Sequence, residues 1–319
     1  HVWQTLDANY PYFDYVKLDM DKKYQEYIHR TEEVRDAKGL GTLLDDFLKE
    51  FDDPNVLVDY PEQACSIAYN IPTKDYPANN LFANDMYIGG TMQDELEKGT
   101  CKCIGPMLFK IVSRNSGRNI YPLIVYTSHT YIHDTIQQQI LATLPQYINT
   151  LTKGLVLDLR ANRFSSVDFV EKILPYFYES GTHQLYAYSS NSSTNVQTYT
   201  VVGNGVLAKI PIAILVNEST TGECSWLARV LQSRENVAIV GRADGGPGCL
   251  HTQSEGCNGV RVKYPSARIE KDEQTFYDPL VPEILVDWEG NDDPITGNRG
   301  YSDNIDYCLV VAMDFIDSC

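Results

Sequence analysis

Two hydrophobic rhythms alternate through most of this chain. Apolar runs at Ile212–Val216 and Val237–Val240, and Leu155–Leu159 with Asp158 inside it, have the length of buried strands. Between them, apolar positions recur at helical spacing, so one face of each segment is apolar. Asp134 opens one such helix, carrying Ile136, Ile140, Leu141 and Leu144. Val167, Val170, Leu174 and Phe177 mark a second, and Trp226, Leu227, Val230 and Leu231 a third. Met107–Val112 and Leu123–Tyr126 read as further strands. Strands alternating with helices of this length predict βαβ units and a mostly parallel sheet.

The two ends differ from this middle. Residues 10–60 predict helices. Thr42 is placed to cap one, with Asp45 following, and Leu43, Leu44, Phe47, Leu48 and Phe51 line one face. Lys22–Val34 predicts an earlier, more polar helix packed against it. Asp52-Asp53-Pro54-Asn55 ends the region, because proline disfavours helix in the residue before it. Cys249–Ile269 predicts a hairpin turning at Ser254-Glu255-Gly256, and residues 305–316 a last helix. Residues 61–105, rich in Asn, Asp, Pro and Tyr, show no period. The expected division is a helical region over 1–60, a cysteine-containing connector over 61–105, and an α/β core with a C-terminal helix over 106–319.

Composition narrows the partners. The chain has 319 residues, 43% of them hydrophobic, enough for a sizeable core. No apolar run is long enough to span a membrane. With 26 basic against 43 acidic side chains, the net charge is −17. Such a chain is repelled by phosphate backbones and anionic lipid, which excludes nucleic acid as an expected partner.

The eight cysteines are an even number and permit full pairing. Cys249 and Cys257 flank the expected hairpin turn and are predicted to be joined, with Cys319 also tied down. Asn191-Ser-Ser and Asn217-Glu-Ser are glycosylation sequons, Asn191 the better placed in its polar loop. The numbering begins at His1, which fits a mature chain whose signal has been removed. Together these predict a secreted or lumenal protein. His129 and His133 have a spacing that a helix could present to a metal, and Cys101-Lys-Cys103 has another. Neither has further ligands at a familiar spacing, so no metal and no cofactor are expected.

Candidate chemistry gathers in Pro211–Gly248: strand, tight polar turn over Asn217–Gly222, helix, strand, glycine-rich loop. Such a turn exposes a side chain where a helix N-terminus stabilises negative charge, which suits a nucleophile. Lys153-Gly-Leu-Val-Leu-Asp-Leu-Arg160, Pro211-Ile-Ala-Ile-Leu-Val-Asn217, Val237-Ala-Ile-Val-Gly241 and Val281-Pro-Glu-Ile-Leu-Val286 follow one another in an order and spacing that resemble peptidase family S41. That family holds the C-terminal processing proteases, the tricorn core and the interphotoreceptor retinoid-binding modules. The resemblance implies a crotonase/ClpP-like α/β spiral core with a helical N-terminal region. The 61–105 interval is too short for the family's usual PDZ domain, so none is expected.

The resemblance also implies a serine in the strand-to-helix turn that attacks a peptide carbonyl. Its base is a lysine in the glycine loop or a histidine near the N-terminal helices, and a glycine turn after the Asp-Leu-Arg strand supports the oxyanion. This chain departs from the pattern at each place. Gly222 stands at the nucleophile position, Pro247 at the loop base and Asn55 at the N-terminal base, while Arg163 and Phe164 fill the glycine turn. A glycine is no nucleophile, and neither proline nor an amide is a useful base. The expectation is a protease fold without its chemistry, holding a peptide, a protein partner or a hydrophobic small molecule in the old cleft. The 22 tyrosines suit such contact surfaces. The rival reading is an active peptidase using Thr220 or Thr221 as nucleophile and His251 as base. Cys224 reads as bonded or buried rather than reactive.

Overall fold

A computed structural model of the chain describes residues 1–60, 65–68, 101–114, 116–126, 132–160, 162, 166–189, 196–244, 246–256, 260–271, 274–286 and 306–319. Its centre is a seven-stranded sheet. In spatial order it runs β15 (Ile284–Leu285), β10 (Val237–Gly241), β9 (Ile212–Val216), β6 (Leu155–Asp158), β5 (Asn119–Tyr126), β4 (Met107–Arg114) and β3 (Cys101–Ile104). The strands from β15 to β5 are parallel, and β4 and β3 are added antiparallel. The expected βαβ core is present.

Both faces of this sheet are covered, which is why its strands read as continuous apolar runs. Leu155, Leu157, Ile212, Ile214 and Ile239 face the larger core. There they meet α5 (Asp134–Thr143), α6 (Val167–Ile173) and α7 (Gly222–Leu231). Val156, Ala213, Leu215 and Val240 point the other way, onto Leu309, Ala312, Met313 and Ile316 of α8 (Tyr307–Ser318). Gly241 lets β10 leave the sheet: it has φ +129°, and a Cβ there would sit 2.2 Å from the Val216 carbonyl oxygen.

A second sheet runs across the expected division. β1 (Leu57–Tyr60) pairs with β2 (Cys65–Ala68) on one side and with β12 (Arg261–Pro265) on the other, and β11 (His251–Glu255) completes the order. The helical region therefore stops short of residue 60, and its last strand belongs to a sheet built with the C-terminal half. Within the expected connector range, β3 pairs with β4 at the edge of the central sheet. A third sheet, β14 (Gln274–Thr275), β13 (Arg268–Lys271), β7 (Gly181–Ser189) and β8 (Gln197–Gly203), lies on the side of the larger core. The expectation about a PDZ domain falls on residues 69–100, outside the described residues.

The N-terminal helices α1 (Val2–Asn9), α2 (Phe13–Val16), α3 (Met20–Thr31) and α4 (Ala37–Lys49) pack an aromatic cluster on β1 and β12. Tyr10 meets Phe51 edge-on at 5.1 Å. Asp36, not Thr42, caps α4 by accepting from Gly39 N at 2.7 Å. Thr42 lies inside the helix and donates to Lys38 O at 3.2 Å.

Cys249 carries a free thiol, so the expected bond to Cys257 is not formed. Ser254 and Glu255 belong to β11, and the turn comes after them, with Gly256 N donating to Val260 O at 2.8 Å. Cys257 itself lies outside the described residues. Cys319 is likewise free and exposed at the end of α8.

One buried ion network fastens α8 to the sheet. Arg160, 3% exposed, donates to Asp158 at 2.6 and 3.0 Å and to Asp306 at 2.6 and 3.1 Å. Asp306 also caps α8, accepting from Leu309 N at 3.2 Å. Replacing Arg160 by Met would strand two buried carboxylates. We expect R160M to lose roughly 3–5 kcal/mol in urea unfolding. A loss under about 1 kcal/mol would show that the network is not what holds α8.

Candidate functional site

The turn after β9 is built by its own side chains. Asn217 Oδ1 accepts from Ser219 N at 3.1 Å, and Asn217 N donates to Thr220 Oγ1 at 3.1 Å. Thr220 Oγ1 donates onward to Leu159 O at 2.9 Å, which ties the turn to the end of β6. Short side chains that bond nearby backbone close turns of this kind. Thr221 is extended and donates its N–H to Asn162 O at 3.1 Å.

Gly222 then enters the left-handed region at φ +56° and begins α7. A side chain at that φ costs about 1–2 kcal/mol. Both of its backbone groups are engaged by the glycine loop. Gly222 N donates to Pro247 O at 3.2 Å, and Cys249 N donates to Gly222 O at 3.2 Å, a one-residue bridge opposite Gly248.

The same Pro247 carbonyl receives Asn55. Asn55 is fully buried and donates Nδ2 to Pro247 O at 2.9 Å. Its backbone N–H donates to Asp53 Oδ1 at 2.8 Å, and Tyr10 OH donates to Asp53 Oδ2 at 2.7 Å. Burial pushes the Asp53 carboxyl above the usual range, against the pull of these donors. So one carbonyl oxygen brings together Gly222, Pro247 and Asn55. Arg163 and Phe164 lie outside the described residues. Asn55 Oδ1 and Asn162 Oδ1, flanking the turn, are buried without a hydrogen-bond partner among the described residues.

Across the loop stands a buried acid–base pair. His251 Nδ1 lies 2.6 Å from Glu223 Oε1, and His251 Nε2 lies 3.1 Å from Asn55 O. Both ring nitrogens face acceptors, an arrangement met in full only by the imidazolium. Burial opposes that charge, but the Glu223 carboxylate and its hydrogen bond outweigh it and hold the His251 pKa above its ordinary value. Cys249 Sγ is 3.8 Å from Nε2 and 4.0 Å from Nδ1, so the sulfur lies against the ring rather than in line with one nitrogen. Burial, then the nearby Glu223 and Asp53 charges, push the Cys249 thiol well up. The sequence reading missed this pair. Its one signal was an acid placed immediately after Gly222, at a helix N-terminus.

The loop is held from behind by α7. Ser225 Oγ donates to Asp244 Oδ2, and Arg229 Nε donates to Ser225 Oγ at 3.1 Å. Asp244 Oδ1 accepts from Leu280 N at 2.8 Å.

Thr220 is fully buried with its hydroxyl spent on Leu159 and Asn217. Thr221 is fully buried, and the His251 ring nitrogens lie against Glu223 and Asn55. Asn217 is 4% exposed and bonded within its turn, so its sequon is closed to a glycan in the folded chain. Asn191 and His129 lie outside the described residues. His133 caps α5, its Nδ1 accepting from Thr135 N at 3.3 Å. No cluster of three or more metal-ligating side chains occurs among the described residues.

Solved structures share this fold at low identity. A candidate peptidase from Parabacteroides merdae is 20% identical, with a TM-score of 0.71 over 100% of this chain and 96% of the other. A lipoprotein from Streptococcus agalactiae is 13% identical, with 0.62 over 99% and 94%. The photosystem II D1 C-terminal processing protease is 15% identical, with 0.53 over 91% and 92%. These likenesses concern the fold. No curated protein gives a significant match. The sequence profile of peptidase family S41 matches residues 124–284, half of the chain, from β5 through the Gly222 turn and the Pro247 loop to β15. The chain belongs to peptidase family S41.

Proposed function

We propose that this chain is a non-catalytic S41 homologue that binds peptides in the former substrate cleft. Gly222 carries the proposal: it has no side chain, and its N–H is spent on Pro247 O instead of pointing at an oxyanion. A serine-type mechanism needs nucleophile, base and oxyanion donors together, and their effects are strongly non-additive. Pro247 has no proton to exchange, and the Asn55 carboxamide is committed as a donor.

A thiol reading is favoured by one observation, the sequence Cys249, His251, Glu223 in contact. Three features weigh against it. The thiol is fully buried, its pKa is driven up rather than down, and the imidazole is already doubly bonded. A reactive cysteine needs the opposite surroundings.

Action outside the cytosol is part of the proposal. It rests on the Asn191 sequon and on the likeness to a streptococcal lipoprotein. No helix among the described residues is long and apolar enough to cross a membrane.

Wild-type protein is expected to leave unfolded casein intact and to take no label from a fluorophosphonate probe. G222S and the double variant G222S/P247K are expected to stay inactive, because the new side chain at residue 222 is strained and the oxyanion donor is committed. Casein cleavage by wild type that T220A or H251A abolishes would reverse the proposal.

A second expectation concerns pH. His251 has a raised folded pKa, so its pairing stabilises the fold fully below the unfolded value of about 6.5 and is lost as pH rises through the folded value. The melting-temperature gap between wild type and H251Q should be widest near about pH 6 and narrow towards about pH 9. A gap that does not change with pH would mean that His251 is held neutral.

A further inference from the structure

Beside the turn lies a pocket of about 330 Å³ that no catalytic role accounts for. Its floor is one face of the third sheet. Tyr186 pairs with Tyr199 across β7 and β8, and Ile269, Tyr188 and Gln197 form the next row. The Tyr186 and Tyr199 rings stack at 4.9 Å, with Trp226 edge-on beneath both. Leu250 and the exposed Glu171 of α6 also line the pocket. Two features join the pocket to the turn. Leu250 sits between Cys249, which bonds Gly222, and His251. Trp226, one helical turn past Gly222, donates its Nε1 to Tyr186 OH at 2.9 Å.

We propose that this pocket receives the arginine or lysine side chain of an extended peptide lying along the Gly222 turn. The proposal rests on the reading of the chain as a peptide-binding homologue. Charge chooses the ligand. Among the described residues, Glu171 is the only charged one lining the pocket. Tyr199 OH donates to its Oε1 at 3.0 Å, and among the described residues no cation pairs with it. The adjacent Lys172 is turned to Asp168 and Gln137. An aliphatic guest would press on the tyrosines but leave this carboxylate unanswered. A guanidinium or ammonium answers it, while its methylene stem lies on Leu250 and Ile269 and its charge faces tyrosine rings. The net charge of −17 draws cationic peptides to the same surface.

The test is calorimetry with two acetylated pentapeptide amides, four alanines around a central arginine or a central norleucine. The arginine peptide is expected to bind wild type about tenfold more tightly. E171Q, a change at an exposed position, should remove most of that preference and leave norleucine affinity unchanged. Y188A should weaken both peptides. Equal affinity for the two peptides, a preference that survives E171Q, or no binding of either overturns the inference. Recovery of both peptides uncut is read in the same samples. Cleavage with the arginine preference intact would sink the non-catalytic reading and keep the pocket. Uncut peptides with no preference, beside retained binding of carboxymethylated casein, would sink the pocket alone.

Discussion

The pairing of Gly222 with the glycine loop is the constraint on which the site depends. Two backbone hydrogen bonds, to Pro247 O and from Cys249 N, fix the start of α7 against the segment after β10. That register sets Leu250 at the pocket wall and brings His251 onto Glu223 and Asn55. It also starts β11, which leads through β12 to β1 and so to the N-terminal helices. The left-handed φ at residue 222 makes glycine the residue of least strain there. The contact that closes the turn thus spends both backbone groups of Gly222 on the glycine loop.

Much of the core was legible because it obeys a single period. Ile212–Val216 is buried at every position, and α8 places Leu309, Ala312, Met313 and Ile316 on the sheet as its spacing predicts. The second sheet was not legible. β1 meets β12 about two hundred residues along the chain, and β11 is largely exposed, so no local apolar pattern announces the pairing. The hairpin turn was placed too early for a related reason: Ser254 and Glu255 carry no apolar signal, yet they continue β11. That Gly222, Pro247 and Asn55 stand at the family's catalytic positions is what the resemblance implies. That all three converge on one carbonyl oxygen could not be read there, since nothing in a sequence says which backbone group a side chain will find.

The His251–Glu223 pair was hidden in another way. A glutamate and a histidine normally signal a wet surface, and only tertiary packing reveals that both are buried. Such a pair is retained only where each partner is answered, and here Asn55 O supplies the third contact. The pair therefore joins the N-terminal region, α7 and β11 at a single point.

The long reach of β1 also sets an order of events during synthesis. β12 leaves the ribosome some two hundred residues after β1, so the N-terminal strand has no edge to join until most of the core has emerged. Closing so long a loop is entropically slow, and contacts that require it form late. Until then the aromatic cluster of α1, α2 and α4 lacks the Val262 and Tyr264 surface it packs on. A nascent chain halted before residue 261 would carry that cluster uncovered, a sticky intermediate of the kind that holding chaperones recognise.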